Sequence, residues 1–537
     1  MNLTRRAYLG GSVALGLAST LALPTFAQSR EATLRHVMGG NVNSLDPTIP
    51  GASRESAGLS MSIYDRLIRF GRVKVNDQWV FDQSIIIPEL AESVERSADG
   101  LKLTFKLRAD ATWHDGTPVT AEDIKWSLDR MVSAKSLAPS QFQSGSMTIP
   151  DQFVIVDPDT IEINLPEANR LALANLGLPY AIMINSKVAK EHATEEDPWA
   201  LEWLKTNHAG SGAYKVEAFR PGEQVVLVRN ESWSGGGEDK ALGFERVIIQ
   251  TVPEPATRAN LVERGDADLA VDLQASDLTS LRERGIAKIV SNPQTNGFTH
   301  ISMNTQIPPF DNVKVRQAIA AALPYEDMFQ AALFGRGRKL FGADWTGTPP
   351  TSDFPEPMPN RTDLDRARTL LAEAGFPNGF DTTFTFAIGY AAVAEPMAAL
   401  LKESLAKVGI NVTINKVPDA QLSTMQSEKT LPFYVDTGNA WLPETFYFFW
   451  VYFTRDQRWN LASWKNTRIE ELVALARIET DEAQYEEYCK EMIAIMAEEQ
   501  PLIMVYQANL DAVMAPTVEG FTYRFHRQVD YRDLERV

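Results

Sequence analysis

Apolar and polar residues alternate strictly through Leu101-Lys102-Leu103-Thr104-Phe105-Lys106-Leu107, the pattern of a strand with one face buried. His114-Asp115-Gly116-Thr117-Pro118 then collects residues that favour turns. Thr120 stands three residues before Asp123, a capping-box variant, and Ile124, Leu128 and Met131 follow at helical spacing. Two further strands, 153–156 and 161–165, flank Asp157-Pro158-Asp159. Beyond residue 297 strand and helix alternate. A strand at 298–303 precedes a helix marked by Val315, Ala318, Ile319 and Ala322. A second helix carries Leu364, Ala367, Leu371 and Ala374, with Gly375 placed to cap its C-terminus. Pro396 predicts the first turn of a third helix, running through Met397, Leu400, Leu401, Leu405 and Val408 to Gly409. Ile410, Val412 and Ile414 then alternate as a strand. Strands separated by helices predict mixed α/β lobes, and the absence of a long linker predicts that the lobes interleave in sequence.

The N-terminus carries a different pattern. Arg5 and Arg6 precede an apolar or small run from Ala7 to Leu23, and Thr25-Phe26-Ala27 forms a small-x-small cleavage site. Residues 1–27 therefore read as a secretory signal cleaved near Ala27. The run is too short for a membrane anchor. Thr4-Arg5-Arg6-Ala7-Tyr8-Leu9 resembles a twin-arginine signal, an ordinary secretory signal being the alternative. The sole cysteine, Cys489, makes an internal disulfide impossible and leaves no lipid-bearing cysteine behind the signal. Export without an anchor predicts a periplasmic protein.

The remaining chain of about 510 residues exceeds what one core organises and predicts two or three domains. A net charge of −18 disfavours nucleic acid as a partner, because such a surface repels phosphates. Catalytic patterns are absent from the sequence: no His-Glu-x-x-His, no Gly-x-Ser-x-Gly and no phosphate-binding Walker loop occur. The six histidines, at 36, 114, 192, 208, 300 and 526, lack metal-ligand spacing. No enzyme activity, cofactor or metal is expected.

Several blocks recur in one order. Ser44-Leu45-Asp46-Pro47 comes first, then Pro88-Glu89-Leu90-Ala91-Glu92-Ser93-Val94 and Trp113-His114-Asp115-Gly116-Thr117-Pro118-Val119-Thr120-Ala121-Glu122-Asp123. Gly210-Ser211-Gly212-Ala213-Tyr214, Arg229-Asn230-Glu231-Ser232-Trp233, Gly265-Asp266-Ala267-Asp268 and Ala372-Glu373-Ala374-Gly375-Phe376 follow. In this set and order the chain resembles the extracellular family 5 solute-binding proteins, the dipeptide- and oligopeptide-binding group. The resemblance implies an α/β, two-lobe periplasmic-binding-protein type II fold with an extra subdomain inserted in the first lobe. It places the first lobe at 28–297 with the insertion near 76–209, the second lobe at 298–507, and a C-terminal return to the first lobe at 508–537. Crossovers are expected near 294–302 and 505–511. The ligand is expected between the lobes, which close by hinge motion. Permease and ATPase subunits of an ABC importer in the inner membrane are the implied partners, and the protein is expected to be a monomer.

Three segments are expected to line the cleft. Asn41, Val42 and Asn43 lie where relatives place a ligand-contacting loop, although the two amides suit a self-bonded turn equally well. Trp345 and Tyr390 belong to segments that border the cleft in relatives. The third is the loop 436–446. Peptide-binding relatives carry there an Asp that takes the peptide ammonium, and the matching position here holds Asn439. A neutral amide cannot give that charge-assisted bond, so Asp436 becomes the substitute if the loop is shifted. Trp441 offers a stacking face, and the rings of Phe446, Tyr447, Phe448, Phe449, Trp450, Tyr452 and Phe453 read mainly as scaffold. A peptide or peptide-sized solute is the implied ligand. An oligosaccharide, sugar conjugate or opine-like compound is the alternative, and an exported hydrolase or a sensor the remaining classes.

Overall fold

The computed structural model describes residues 30–235, 242–294, 296–456, 459–524 and 529–537. The export signal expected at 1–27 lies outside them.

Strand Thr33–Met38 is the centre of the first half. It runs parallel to Arg246–Thr251 on one side and to Leu269–Val271 on the other. Gln224–Arg229 and Tyr214–Arg220 extend the sheet outward as antiparallel neighbours. In the second half, Gly297–Met303 pairs with Phe433–Asn439, and Asp381–Ala387 pairs in parallel with Asn411–Val417. One strand, Leu502–Met514, belongs to both halves: residues 502–506 pair with Gly297–Met303, and residues 512–514 with Leu269–Val271. The result is one twelve-stranded mixed sheet among the described residues. Gln507 ties the two connecting segments together, its Nε2 donating to the carbonyls of Gln294 (2.7 Å) and Gly297 (3.0 Å).

Residues 68–164 build two smaller sheets. Ile68–Val75 and Gln78–Pro88 form a hairpin. Ala91–Arg96, Lys102–Leu107, Thr160–Asn164 and Phe153–Asp157 form a four-stranded antiparallel sheet in that order. Helix Ala121–Ser133 packs on it, and its capping box is present as the sequence predicts. Asp123 also accepts from the Trp113 indole (3.2 Å) and from Ser186, so the Trp113–Asp123 block welds a turn to a helix. Residues of this sheet share one core with the first half.

The remaining blocks are structural too. Glu89 is fully buried, accepts from the Arg66 backbone N–H at 2.7 Å, and pairs with the guanidinium groups of Arg66 and Arg532. Arg532 also makes a bidentate pair with Asp530 (2.8 Å each), so residues 529–537 return to the first half. Gly210 and Gly212 lie against the main chain of Ile63 and Ser62, where a Cβ would fall 2.0 and 2.5 Å from carbonyl oxygens.

One predicted boundary is corrected. The helix expected to start at Pro396 spans Ala391–Ala406, with Pro396 inside it. Ala391, Ala392 and Ala394 favour helix strongly enough to begin it earlier, on the 3-10 turn Ile388–Tyr390. Cys489, on helix Glu482–Glu499, is buried, and burial raises its thiol to about 12.

Candidate functional site

The loop after strand Thr33–Met38 is shaped by its own polar residues. Asp46 accepts from the backbone N–H and hydroxyl of Thr48 (2.8 and 2.7 Å) and pairs with buried Arg130. Asn43 accepts from the backbone N–H of Ser53 (2.9 Å) and the Ser56 hydroxyl (3.2 Å), and donates to Gly51 O (2.8 Å). Its amide thus fastens the loop to the N-terminus of helix Arg54–Ile63, where Ser53 is the cap. Asn43 is thus engaged within the first half by residues 51–56. Asn41 is exposed on the same loop. Val42 is buried and lines a small recess in the first half.

In the second half, alternation along Phe433–Asn439 separates the two residues expected to compete for the ligand. Tyr434 and Asp436 point to one face, Phe433, Val435 and Asn439 to the other. Asp436 lies in register with buried His300 and accepts from the Gln426 amide and the Thr437 N–H. Burial holds His300 at about 3, so it is neutral. Asp436 is therefore directed to the opposite face of the strand from Asn439. Asn439 faces the connecting segment: its Oδ1 accepts from Gln294 Nε2, and its N–H donates to the Tyr452 hydroxyl at 2.6 Å. On that face Tyr390 joins a hydroxyl chain with Thr299 (3.3 Å) and Tyr506 (3.2 Å).

Trp441 meets Tyr180 with ring centroids 4.7 Å apart at 55°. Tyr180 comes from the region predicted as an insertion, so this pair joins the two halves. Ser60, on helix Arg54–Ile63, holds the turn before Tyr180 by donating to Pro179 O. Burial raises the Tyr180 hydroxyl to about 12, with the charge of Arg54 pulling the other way. The same Arg54 charge acts on Tyr452, which places the start of this helix at the seam.

Helix Thr445–Tyr452 is buried on nearly all sides. Its core includes Phe70, Leu171 and Leu178 of the first half, and Trp345, Tyr390 and Trp441 border it. The rings expected to be second-lobe scaffold are thus shared by both halves. Around them Tyr447 donates to Gln141 (3.0 Å), Arg170 pairs with Glu482 (2.8 Å) and stacks on Tyr485 (3.9 Å), and Glu167 pairs with Arg477 (2.8 Å). Tyr180, Gln294, Tyr506 and Arg54 were not predicted from sequence. Gln294 and Tyr506 carried a signal, each lying at an expected crossover. Among the described residues, no group of three His, Cys, Asp or Glu side chains is placed to hold a metal, and no helix is long and apolar enough to cross a membrane.

Comparison with known proteins agrees with this architecture. The chain is 26% identical to the probable D,D-dipeptide-binding periplasmic protein DdpA of Escherichia coli K12, covering 81% of this chain and 82% of the relative. A dipeptide-binding protein of Pseudoalteromonas sp. SM9913, solved with Met-Leu, superposes with a TM-score of 0.77 at 22% identity, covering 94% and 100% of the two chains. AgaA of A. tumefaciens R10, solved with agropinic acid, superposes at 0.74 and 22%, covering 94% and 99%. Residues 86–460 match the family model described as bacterial extracellular solute-binding proteins, family 5 middle region. The chain belongs to the family 5 bacterial extracellular solute-binding proteins, and its fold is their two-lobe fold.

Proposed function

We propose that this protein is the capturing component of an ABC importer, holding a peptide or peptide-sized solute between its lobes and releasing it unaltered to a permease. The observation that carries the reading is the Tyr180–Trp441 contact, an aromatic seam made by one ring from each side of the cleft. Such a pair forms only when the lobes approach, so a solute that bridges them favours the closed state. Trp345, Tyr390, Asn439 and Trp441 are proposed to face the solute from the second lobe, with Asn41 and Val42 across from them. Lobes at 28–297, with an insertion at 76–209, and at 298–507, with a return at 508–537, are part of the proposal, and the change of partners along the shared strand Leu502–Met514 supports the boundary near 507. Export through a signal at 1–27, delivery to the periplasm and action as a monomer complete the proposal.

Asn439 favours one second reading. With an amide where peptide-binding relatives carry a carboxylate, an opine-like or sugar-conjugate solute suits that loop. Native mass spectrometry of the protein purified from its own host identifies the co-purified solute and separates the two. The same solute should raise the melting temperature, by about 2.7 kcal/mol of stabilisation at one hundred times its dissociation constant. Recovery of a chemically altered solute would overturn the carrier reading.

A further inference from the structure

Besides the Tyr180–Trp441 pair, a second set of contacts joins the two halves. It begins with the short helix Leu171–Asn175, which lies between two cores. Ala172 and Leu176 belong to the first-half core, whereas Leu171 and Leu178 belong to the core around helix Thr445–Tyr452. Asn169 fastens the start of this segment to the first half. Its Nδ2 donates to Ser144 O (3.0 Å) and Ser146 Oγ (2.8 Å), and its carbonyl accepts from Arg96 (3.3 Å). On the second-half side stands the corner between helices Thr467–Ile478 and Glu482–Glu499. Arg170 reaches that corner three times. Its backbone N–H donates to Arg477 O (3.3 Å), its Nη1 to Glu479 O (3.4 Å) and its Nη2 to Glu482 Oε2 (2.8 Å). The same guanidinium lies 3.9 Å from the centroid of the Tyr485 ring, and Tyr485 is oriented by donating its hydroxyl to Glu444 (2.8 Å).

Arg477 runs the other way. It pairs with Glu167 (2.8 Å), whose carboxylate also accepts from Ser146 (2.9 Å). Each half thus supplies an arginine to a carboxylate of the other. The charged members keep contact with water: the side chains of Arg170 and Glu482 are 22% and 64% exposed, and those of Arg477 and Glu167 34% and 35%. Such pairs part without stranding a buried charge. Leu171 and Leu178 are buried, and separating the halves returns their apolar surface to water. Joining is therefore favoured by terms that involve no solute, and none of these residues is among those proposed to face it.

We propose that Arg170 and Glu167, with the corner formed by Arg477, Glu479, Glu482 and Tyr485, are an interlobe latch that holds the lobes together independently of the solute. The latch rests on the two-lobe carrier reading above. A contact made only between lobes raises the closed population by the same factor whatever occupies the cleft. The latch therefore sets how firmly solute is held, and the cleft sets which solute is chosen. Its exposed ion pairs make it sensitive to salt, because screening weakens them.

The test measures lobe separation in the full mature chain. Lys187→Cys and Glu428→Cys place one exposed thiol in each half for spin labels. Cys489 is buried, with its thiol raised to about 12, and stays unlabelled. Pulsed electron-spin distance measurement on solute-free protein should show a short-distance population. Arg170→Met and Glu167→Arg should each shrink it about threefold or more, and about 0.5 M salt should act in the same direction. Adding Arg477→Glu to Glu167→Arg should restore it, a rescue that a merely structural role would not give. Native mass spectrometry with a pooled dipeptide library supplies the second readout. The single variants should hold less of every dipeptide, in an unchanged order of preference. A changed order would put Arg170 in the solute site and overturn the latch. So would an unchanged distance distribution in variants whose melting curves show that they fold. Should a variant not fold, the salt titration of the wild type decides, and no response to salt overturns the latch. If dipeptides shorten the distance while neither variant alters it, the latch fails and the carrier reading stands. If the variants lengthen the distance and no dipeptide binds, the latch stands and the peptide reading fails.

Discussion

Tyr180 and Trp441 touch across the cleft, their ring centroids 4.7 Å apart, although each is only half-buried. In the proposed function this contact belongs to the closed arrangement, so its loss leaves both lobes intact. Trp441→Ala and Tyr180→Ala should therefore fold normally and weaken solute binding. Their double-mutant cycle should give a coupling of about 0.5–1.5 kcal/mol, the range for an aromatic pair. Small-angle scattering should show a larger radius of gyration for the single variants than for wild type at equal solute saturation. Independent, fully additive losses would mean that the two rings do not act as a pair.

The Pro88-Glu89-Leu90 block should behave as structure, without contact to solute. Glu89 is buried between Arg66 and Arg532, with an Arg66 N–H on the same carboxylate. Glu89→Gln removes one charge from that group and leaves two guanidinium groups undercompensated. A loss of about 3–5 kcal/mol in stability follows, the cost of breaking a buried pair by removing one partner. Calorimetric unfolding measures it, and a variant as stable as wild type would show that the arginines are neutralised by Asp65 and Asp530 alone.

Burial holds His36, His114 and His300 at about 3, below the 6.5 of an exposed imidazole. The unfolded chain therefore binds more protons between those values, and stability falls as pH drops from about 6.5 toward 3. The slope is about 1.4 kcal/mol per pH unit for each of the three. Asp65 works against it. Burial and the neighbouring Glu89 raise Asp65 to about 6, so its protonation favours the fold as pH falls from 6. One carboxyl does not offset three imidazoles. Denaturant titrations at about pH 6.5 and about pH 5 should show the net loss, and His300→Gln should remove the His300 share of the histidine slope. A stability that is flat across this interval would contradict neutral, buried histidines.

How far the sequence could reach is visible in these same residues. The Thr120–Asp123 capping box and the Gly375 cap were readable because donor, acceptor and turn lie within a few residues of each other. Alternation also located the strand at 102–107, because a pleat with one buried face writes itself into the chain. Trp441 was identified as a candidate, but its partner Tyr180 was not. Nothing local marks a tyrosine as half of a contact made by another lobe. The pleat could have separated Asp436 from Asn439 in advance. An odd spacing along one strand places two side chains on opposite faces, yet the segment was read as a loop.

That separation yields the sharpest test of where the solute sits. Asp436 shares its face of the strand with Tyr434 and stands in register with His300, whereas Asn439 lies on the other face beside Gln294. A solute held by the Asn439 side chain is expected on the opposite face of the strand from Asp436. Asp436→Asn keeps the shape of the side chain and an oxygen for the Gln426 donor, removing only charge. It should leave the solute affinity within about twofold, well short of the 1.5–3 kcal/mol expected when a charged hydrogen-bond partner is lost. Asn439→Asp should act in the opposite sense. The new carboxylate still accepts from Gln294, and it adds a negative charge beside the connecting segment. Affinity for a solute carrying a free ammonium should rise, and affinity for one with a carboxylate near that position should fall. Titration calorimetry on both variants with the native solute reads the two outcomes side by side. A large loss in Asp436→Asn, with no response in Asn439→Asp, would place the solute on the Tyr434 face and overturn the assignment of Asn439 to the cleft.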